Sequence, residues 1–268
     1  MLFELDHDEW TSWGVVAGIY TLCVALHILL KTDGTDGYVW DKASNKPLQY
    51  RNNGLRVLVA VYILRYTLTT LKYWDDSFLY THFHACLRAS FSFGIVLSIA
   101  FYLRGRKALA NGGVDRNPCT PTTSRRVVND DSSEFDNRSF LEHFYCGIEF
   151  NPRPQSLFHI DIKMTLYLVG AVMLDAIIHS ATTYHMLASA DLGRPMSWAM
   201  TSYLCMFRWF VFEYLFYENV HTYTYDIFRE RVGLKLIWGC LCFYPFFYCV
   251  GVRASCCPFV SNAACNAV

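Results

Sequence analysis

The sequence predicts an all-α polytopic membrane protein with about six transmembrane helices, and three observations lead to this prediction. Hydrophobic residues make up 53% of the 268 residues and charged residues only 17%, whereas about 25% of an average soluble domain is charged. The apolar residues fall into stretches near the length of about 20 residues that crosses a bilayer. Tyr and Trp gather near many of their ends, as at a membrane interface. Residues 1–268 are therefore interpreted as a single membrane domain.

Six apolar stretches define the predicted spans, and an acidic tail, residues 1–11, precedes them. They are Ser12–Leu30, Leu55–Leu71, Cys86–Leu103, Met164–Tyr184, Trp198–Tyr217 and Gly233–Val252. A few charged residues lie within or beside these stretches, so a soluble all-helical protein is the alternative. Met1–Glu9 carries four acids and no Lys or Arg, which has the wrong charge for a cleavable signal peptide.

Lys and Arg are unevenly distributed among the loops. The loops after spans one, three and five carry 16 of the 23 basic residues. Because positively charged loops face the cytoplasm, we expect these loops in the cytoplasm and both termini on the other side. Acidic residues also number 23, and the zero net charge implies no nucleic-acid partner.

Cysteine and histidine patterns do not indicate a metal site. The eleven cysteines are an odd number and contain no CxxC pair, which argues against a zinc module. The nine histidines are scattered, without the HxxxH and HxxHH spacings of membrane di-iron enzymes.

Three regions between the spans have a distinct composition. Lys31–Asn53 is a polar connector. Residues 104–139 form a long loop whose middle is rich in Gly, Pro, Ser, Thr and Asn, which is typical of a mobile linker. In residues 140–163, aromatic side chains alternate with acids and Gly. A helix that begins near Phe140 should end before Pro152, and an amphipathic helix along the membrane interface is the simplest interpretation.

The segment Gly147-Ile148-Glu149-Phe150-Asn151-Pro152-Arg153 resembles the Gly-x-Glu-(Leu/Phe)-Asn-Pro-Arg signature of the sterol C=C reductase family. That family includes Δ14-sterol reductases, the lamin B receptor and 7-dehydrocholesterol reductase. Tyr50–Leu55 resembles the family's Tyr-x-x-Asn-Gly-Leu entry to the second span, and Phe158–Lys163 resembles the Phe-Asp-(Phe/Ile)-Lys segment after the signature. Further matches fall at Glu218, Asp226-Ile227, Gly233, Trp238-Gly239, Pro245 and Tyr248.

The resemblance implies NADPH-dependent reduction of a sterol ring double bond in the endoplasmic-reticulum membrane or the nuclear envelope. Phe150 and Trp238-Gly239 favour Δ7 over Δ14 reduction, because they look more like the 7-dehydrocholesterol reductase branch. Reduction of an isolated alkene needs a proton from an acid and then a hydride from the nicotinamide. The partners implied are the sterol and the lipid bilayer.

The chain also departs from the family pattern. Arg229-Glu230 stands where the family has His-Asp, and Cys240 where it has an acid. Family members continue beyond Pro258 with spans that complete the cofactor pocket, whereas residues 253–268 form an atypical tail. The resemblance thus implies a C-terminally shortened homologue. A non-catalytic sterol-binding protein or membrane scaffold of the same fold is the alternative, and a membrane methyltransferase is a third interpretation.

The resemblance also suggests roles for individual residues. It places Glu218 and Asp226 near the sterol and the cofactor, and Tyr217, next to Glu218, is a candidate phenolic proton donor or a residue of the interfacial belt. Arg153 either clamps a cofactor phosphate or pairs with Glu149. The structural residues of the matched motifs are Gly147, Glu149, Asn151, Pro152, Asn53 and Gly54.

Asp175 and His179 are four residues apart on one face of the fourth span, close enough to pair. An intramembrane acid and base are a functional hypothesis by default. The family pattern does not require them, so a buried packing pair is favoured here. Arg208 and Glu213 are five residues apart and do not align on one helical face.

Overall fold

The computed structural model describes residues 7–41, 46–111, 139–154, 157–193 and 195–254, and this part of the chain is mostly helical. In chain order the elements are α1 (His7–Leu29), β1 (Gly34–Asp41), β2 (Lys46–Arg51), α2 (Gly54–Thr70), α3 (Phe78–Thr81), α4 (Phe83–Ala110), α5 (Phe140–Cys146), α6 (Ile162–Asp191), α7 (Trp198–Phe216), α8 (Glu218–His221), α9 (Tyr225–Phe228), α10 (Leu234–Trp238), a π-helical segment (Gly239–Phe247) and α11 (Val250–Ala254). The prediction of a helical polytopic membrane protein is confirmed.

Within the described ranges, four helices are long and apolar enough to cross a membrane. They are Asp8–Leu29, Phe83–Ala110, Ile162–Asp191 and Leu234–Val252, which we call the last span helix. The other two predicted spans are also helical. Helix α2 has 17 residues, about 26 Å at 1.5 Å per residue, which is slightly less than the roughly 30 Å of a bilayer core. Helix α7 has 19 residues and carries both Arg208 and Glu213.

Helix α6 lies at the centre of the helical assembly. It contacts α1, α3, α7 and the π-helical segment, and its first two-thirds are almost entirely buried. Apolar side chains on all sides of a helix are typical of this position. Asp161 begins the helix by accepting a hydrogen bond from the Met164 amide at 3.1 Å, as N-capping residues do.

The polar connector folds into an antiparallel hairpin that the sequence analysis did not predict. Strands β1 and β2 pair from Gly34 opposite Arg51 to Asp41 opposite Lys46. Val39 and Tyr50 point inwards and are buried. The Tyr50 ring lies against Gly37, at a point where any larger side chain meets the ring. Connector residues 42–45 lie outside the described residues.

Helix α5 begins at Phe140 and ends before Pro152, as predicted. It begins at Phe140 with a capping box in which Ser139 and Glu142 bond to each other's backbone amides. It ends at Cys146, before Gly147 with a φ of 92°, because that left-handed conformation favours glycine. The helix therefore stops before Pro152 is reached.

Three predicted regions are only partly described. Helix α1 begins at His7, inside the predicted acidic tail, and α4 continues to Ala110, inside the predicted mobile loop. Residues 112–138 of that loop and residues 255–268 of the predicted atypical tail lie outside the described residues.

Candidate active site

A cavity of about 330 Å³ lies between α6, α7 and the last span helix. Its polar lining comprises Tyr167, Tyr214, Tyr244, Tyr248, Asp226, Glu230, Lys235 and Cys240, and its apolar lining includes Leu236 and Phe243. Aromatic walls with a few polar groups are typical of ligand pockets, whose volumes run from about 300 to 1,000 Å³. The cavity has room for part of an apolar ring system.

A larger cavity of about 640 Å³ lies elsewhere, between α1, α4 and the last span helix. Its walls are mainly apolar, and the ion pair between Glu9 and Arg88 is its charged part. None of the predicted site residues lines it. The smaller cavity is the candidate active site because it contains the predicted Asp226.

Asp226 and Tyr167 form a hydrogen-bonded pair in this cavity. The Tyr167 hydroxyl donates to Oδ2 of Asp226 at 2.7 Å. Glu230 and Lys235 form an ion pair of 2.5 Å in the same lining. Tyr214 lies within electrostatic range of both Asp226 and Glu218.

Lys163 holds the backbone that carries Asp226. Its Nζ donates to the carbonyls of Asp226 at 2.9 Å, Ile227 at 2.6 Å and Glu230 at 2.6 Å, and its side chain has no exposed surface. Together, Lys163, Tyr167, Asp226, Glu230 and Lys235 are the cavity network. Sequence reasoning missed Lys163 and Tyr167 as site residues, although Lys163 belongs to the matched Phe-Asp-(Phe/Ile)-Lys segment and Tyr167 follows it by one helical turn.

The signature segment packs against the same stretch of chain. The Val232 amide donates to the Glu149 carbonyl at 2.9 Å. A Cβ on Gly147 would lie 2.5 Å from the Val232 carbonyl carbon, so only glycine permits this approach. The Asn151 side-chain amide, oriented to satisfy its hydrogen bonds, donates to the Ile227 carbonyl at 3.2 Å.

Arg153 does not pair with Glu149, so the ion pair that the sequence analysis offered for these two residues is corrected. Its Nε lies 3.4 Å from Oδ2 of Asp161, and its guanidinium lies 4.8 Å from the centre of the Tyr50 ring. Glu149 pairs with Arg104 at 3.4 Å instead. Burial raises the pKa of Glu149 above its ordinary value, and the charge of Arg104 opposes this shift. The two partners of Arg153 tie the signature segment to the start of α6 and to the hairpin.

Pro152 and Asn53 have structural contacts. The Pro152 carbonyl accepts a 3.4 Å hydrogen bond from the Ile162 amide, next to the N-cap of α6. The Asn53 side chain donates to the carbonyls of His27 at 3.0 Å and Leu30 at 2.5 Å. It thereby satisfies carbonyls at the C-terminal end of α1, which have no partner within that helix.

Glu218, the first residue of α8, lies outside the cavity lining and contacts the start of α2. Its Oε2 accepts a 2.7 Å hydrogen bond from the Gly54 amide, and the residue is 4% exposed. A Cβ on Gly54 would lie 2.9 Å from the same oxygen, so the Asn-Gly motif leaves room for the acid. Burial raises the pKa of Glu218 to about 7, although the Gly54 hydrogen bond opposes the shift.

Tyr217 lies outside the cavity lining. It is 53% exposed, and its ring meets the Phe216 ring edge-on at 5.0 Å. The structure therefore brings Asp226 together with Tyr167 rather than with Tyr217.

Asp175 and His179 do not pair with each other, so the prediction of a packing pair was wrong. Oδ1 of Asp175 accepts a 3.0 Å hydrogen bond from Tyr62. His179 lies 2.8 Å from Arg208 and 3.7 Å from Asp76. The partners come from α2, α7 and the turn after α2 because neighbouring helices present closer groups than the next turn of α6 does.

These residues form a second polar cluster. Arg65 completes it through a 3.5 Å ion pair with Asp76. Tyr62, Arg65, Asp76, Asp175, His179 and Arg208 are the closed network. Among the described residues, no group of three or more His, Cys, Asp or Glu could hold a metal ion.

The cavity does not match the demands of a whole NADPH molecule. A dinucleotide needs cationic groups for its phosphates, but the lining of this cavity contains one cation, Lys235, which already pairs with Glu230. Arg153, the predicted phosphate clamp, is engaged by Asp161. The lining of this cavity by itself does not form a dinucleotide site.

The fold and the site define a multi-pass membrane protein with an acid-containing, aromatic-walled cavity. Residues 1–264 match the model of the ergosterol biosynthesis ERG4/ERG24 family, and the chain belongs to this family. The match is wider than the stretch from Tyr50 to Tyr248 that contains the matched sequence motifs. The resemblance to sterol reductases is thereby confirmed.

Three curated relatives are similar to this chain. The Δ14-sterol reductase of Arabidopsis thaliana is 25% identical over 203 residues, which cover 76% of this chain and 48% of the relative. The Δ14-sterol reductase of Ascobolus immersus is 25% identical over 241 residues, 89% of this chain and 51% of the relative. The 7-dehydrocholesterol reductase of Arabidopsis thaliana is 24% identical over 241 residues, 88% of this chain and 49% of the relative. The chain spans about half the length of these relatives.

Proposed function

We propose that this chain takes part in the reduction of a sterol ring double bond, with Asp226 as the proton donor. The observation that carries the proposal is the Tyr167–Asp226 pair, which opens on an aromatic-walled cavity. The names of the three relatives support the sterol as the substrate class. The resemblance of Phe150 and Trp238-Gly239 to the 7-dehydrocholesterol reductase branch favours Δ7. Δ14 is the alternative, because the identities to the two kinds of relative are nearly equal.

The Tyr167–Asp226 pair can protonate an alkene and stabilise the products of that step. When protonated Asp226 gives its proton to an alkene carbon, a C–H bond forms, the double bond breaks, and the adjacent carbon becomes a tertiary cation. The hydrogen bond from Tyr167 to Oδ2 stabilises the carboxylate that remains. The tyrosine rings of the lining can stabilise the cation through their π faces.

The second half of the reduction needs a hydride. The described residues contain no hydride donor, and the resemblance implies NADPH for this role. No described residue is assigned to it, because the lining cation is already paired. Glu218, which the resemblance places near the sterol, is proposed as a second acid, and its buried carboxyl lies outside the cavity lining.

The proposal is tested by expressing the chain in yeast that lacks Δ14-sterol reductase and, separately, in cells fed 7-dehydrocholesterol. Sterols are then analysed by mass spectrometry, with a full-length relative as the positive control. We expect loss of the substrate double bond in one of the two kinds of cells. Persistence of both substrates, despite expression of the chain in the membrane, contradicts the proposal.

A matched pair of variants decides which tyrosine takes part. Tyr167→Phe removes the hydroxyl bonded to Asp226, and we expect at least a tenfold lower rate of reduction. Tyr217→Phe removes an exposed hydroxyl outside the lining, and we expect less than a twofold change. The opposite result assigns the chemistry to Tyr217.

Sterol binding without reduction is a second candidate function. It is favoured by the single, paired cation of the lining, since a sterol needs no phosphate-binding group. A photoactivatable sterol should label peptides of α6 or α7 in either case. Labelling without any reduction supports binding alone, whereas absence of labelling argues against both functions.

We also propose the endoplasmic-reticulum membrane as the location, with the nuclear envelope as the alternative. A multi-pass membrane protein of a sterol-synthesis family supports this proposal. Co-localisation of a tagged chain with markers of the two membranes distinguishes them.

A further inference from the structure

Lys163 is a charged side chain with no exposed surface at the start of the most buried helix. Burying a charge is costly unless it is paired or hydrogen-bonded. All three hydrogen bonds of Nζ go to main-chain carbonyls. An ammonium group has three donors, and all three are satisfied.

The three carbonyls belong to one short segment. Helix α9 ends at Phe228, and the last carbonyls of a helix have no partner within it. Lys163 satisfies these carbonyls between residues 226 and 230 and brings a positive charge to the negative end of the helix dipole. The carboxylates of Asp161, Glu230 and Asp226 add long-range attraction for its charge.

Lys163 and Tyr167 lie one turn apart on the same face of α6. The first binds the backbone of Asp226 and the second binds its carboxylate. Asp226 is therefore held by α6 at two points, and the position of its carboxylate in the cavity depends on both. Asn151 supports the same segment from the signature side, through the Ile227 carbonyl.

We propose that Lys163 is a positioning residue that fixes the acidic group of the cavity against Tyr167. The inference rests on the proposed function for its catalytic consequence, but its structural part is independent of activity. The alternative is that Lys163 only fills space in the core, in which case the segment 225–233 does not depend on its charge.

The experiment compares Lys163→Met with Thr165→Val in the full chain, reconstituted in lipid nanodiscs. Thr165 is a matched control, since it is buried in the same turn and bonds only the Asp161 carbonyl at 2.7 Å. Hydrogen–deuterium exchange follows the amides of Arg229 and Glu230, which bond the Tyr225 carbonyl. We expect at least tenfold faster exchange in Lys163→Met and less than threefold in Thr165→Val. Unchanged exchange in Lys163→Met overturns the proposal.

Kinetics provide a second measurement that a purely structural role does not affect. In Lys163→Met we expect kcat to fall at least tenfold, with KM within twofold. Faster exchange with an unchanged kcat overturns the positioning role.

Two further outcomes remain informative. If the wild-type chain reduces no sterol, the proposed function fails, and the exchange experiment still decides the structural part. If Lys163→Met does not fold, Lys163→Arg retains the charge and should keep exchange at residues 229 and 230 within threefold of wild type. A folded Lys163→Arg protein with at least tenfold faster exchange overturns the proposal.

Discussion

Helix α6 contributes residues to both the cavity network and the closed network. The comparison between them shows which polar cluster is available for chemistry. The cavity network includes Tyr167 of this helix. The closed network includes Asp175, which lies eight residues or about 12 Å further along the helix. In both, a tyrosine hydroxyl donates to a carboxylate, at 2.7 Å from Tyr167 and at 3.0 Å from Tyr62. The local hydrogen bonding is therefore similar, although the surroundings differ.

The difference is the space next to the carboxylate. Asp226 lines a cavity and is partly exposed, whereas Asp175 is 4% exposed and lines neither of the two cavities described above. The closed network joins α2, α6 and α7 through charged contacts with Arg208 and Asp76. A polar cluster enclosed by its own partners holds helices together, whereas one that opens on a cavity can meet a ligand.

The largest expected effect tests the cavity side of this comparison. Asp226→Asn keeps the shape of the side chain and an oxygen for Tyr167 but removes the proposed proton donor. We expect sterol reduction to fall about 10²- to 10⁴-fold, with a change in the free energy of unfolding of about 1 kcal/mol. Sterol mass spectrometry and thermal unfolding in detergent measure the two quantities. Full activity of Asp226→Asn removes Asp226 from the mechanism.

The same substitution in the closed network should lower stability and leave activity unchanged. Asp175→Asn replaces the buried carboxyl group that accepts the Tyr62 hydrogen bond, and a disrupted buried hydrogen bond costs about 1–3 kcal/mol. We expect a lower free energy of unfolding by about that amount and unchanged activity per folded molecule. Loss of activity in the protein that remains folded shows that the closed network takes part in the reaction.

Glu218 differs from both networks, because it is a buried acid whose carboxylate accepts a hydrogen bond from a backbone amide. Its pKa is about 7 in the folded chain, against 4.5 for an ordinary Glu. Below pH 4.5 both states are protonated and the residue has no effect. Between pH 4.5 and 7 the unfolded chain loses its proton and the folded chain keeps it, so stability falls as pH rises. Above pH 7 a cost of roughly 3 kcal/mol persists.

Glu218→Gln cannot ionise and should lack this fall in stability. We expect the free energy of unfolding to decrease between pH 5 and pH 8 by roughly 2.5 kcal/mol more in the wild type than in the variant. Thermal unfolding at the two pH values measures the difference. Glu213→Gln is the matched control, because Glu213 is exposed on α7. Equal pH dependence in the wild type and Glu218→Gln contradicts the assigned burial cost.

The helices could be predicted from the sequence better than the contacts between them. The bilayer demands long apolar stretches, and four of the predicted spans are helices of that length and composition. The hairpin at β1 and β2 was not predicted because its stability depends on tertiary packing of Val39 and Tyr50. Local composition does not contain that information.

The candidate site was predicted in part, for a similar reason. The motif resemblance led to Asp226, but Tyr167 is 59 residues away in sequence and became its partner only through the fold. The four-residue spacing of Asp175 and His179 permitted a pair, and tertiary neighbours competed successfully for both side chains. Helical spacing limits which residues can meet, and packing between helices decides which do.

The smallest expected effect tests whether the signature segment supports the cavity network but not the closed network. Gly147 and Gly193 both have positive φ, at 92° and 60°, so an alanine costs backbone strain of about 1 kcal/mol or more at either position. A Cβ on Gly147 also meets the Val232 backbone at 2.5 Å, whereas a Cβ on Gly193 has no atom within 4 Å. Overpacking of this kind costs about 1–3 kcal/mol, so Gly147→Ala should be less stable than Gly193→Ala by about 2 kcal/mol.

The distinguishing measurement is hydrogen exchange at Val232, whose amide bonds the Glu149 carbonyl. It should become faster in Gly147→Ala and remain unchanged in Gly193→Ala. Amides of α6 near Asp175, in the closed network, should keep their protection in both variants. Loss of protection in both networks in Gly147→Ala shows that they unfold together. The functional separation would then require evidence from activity rather than from stability.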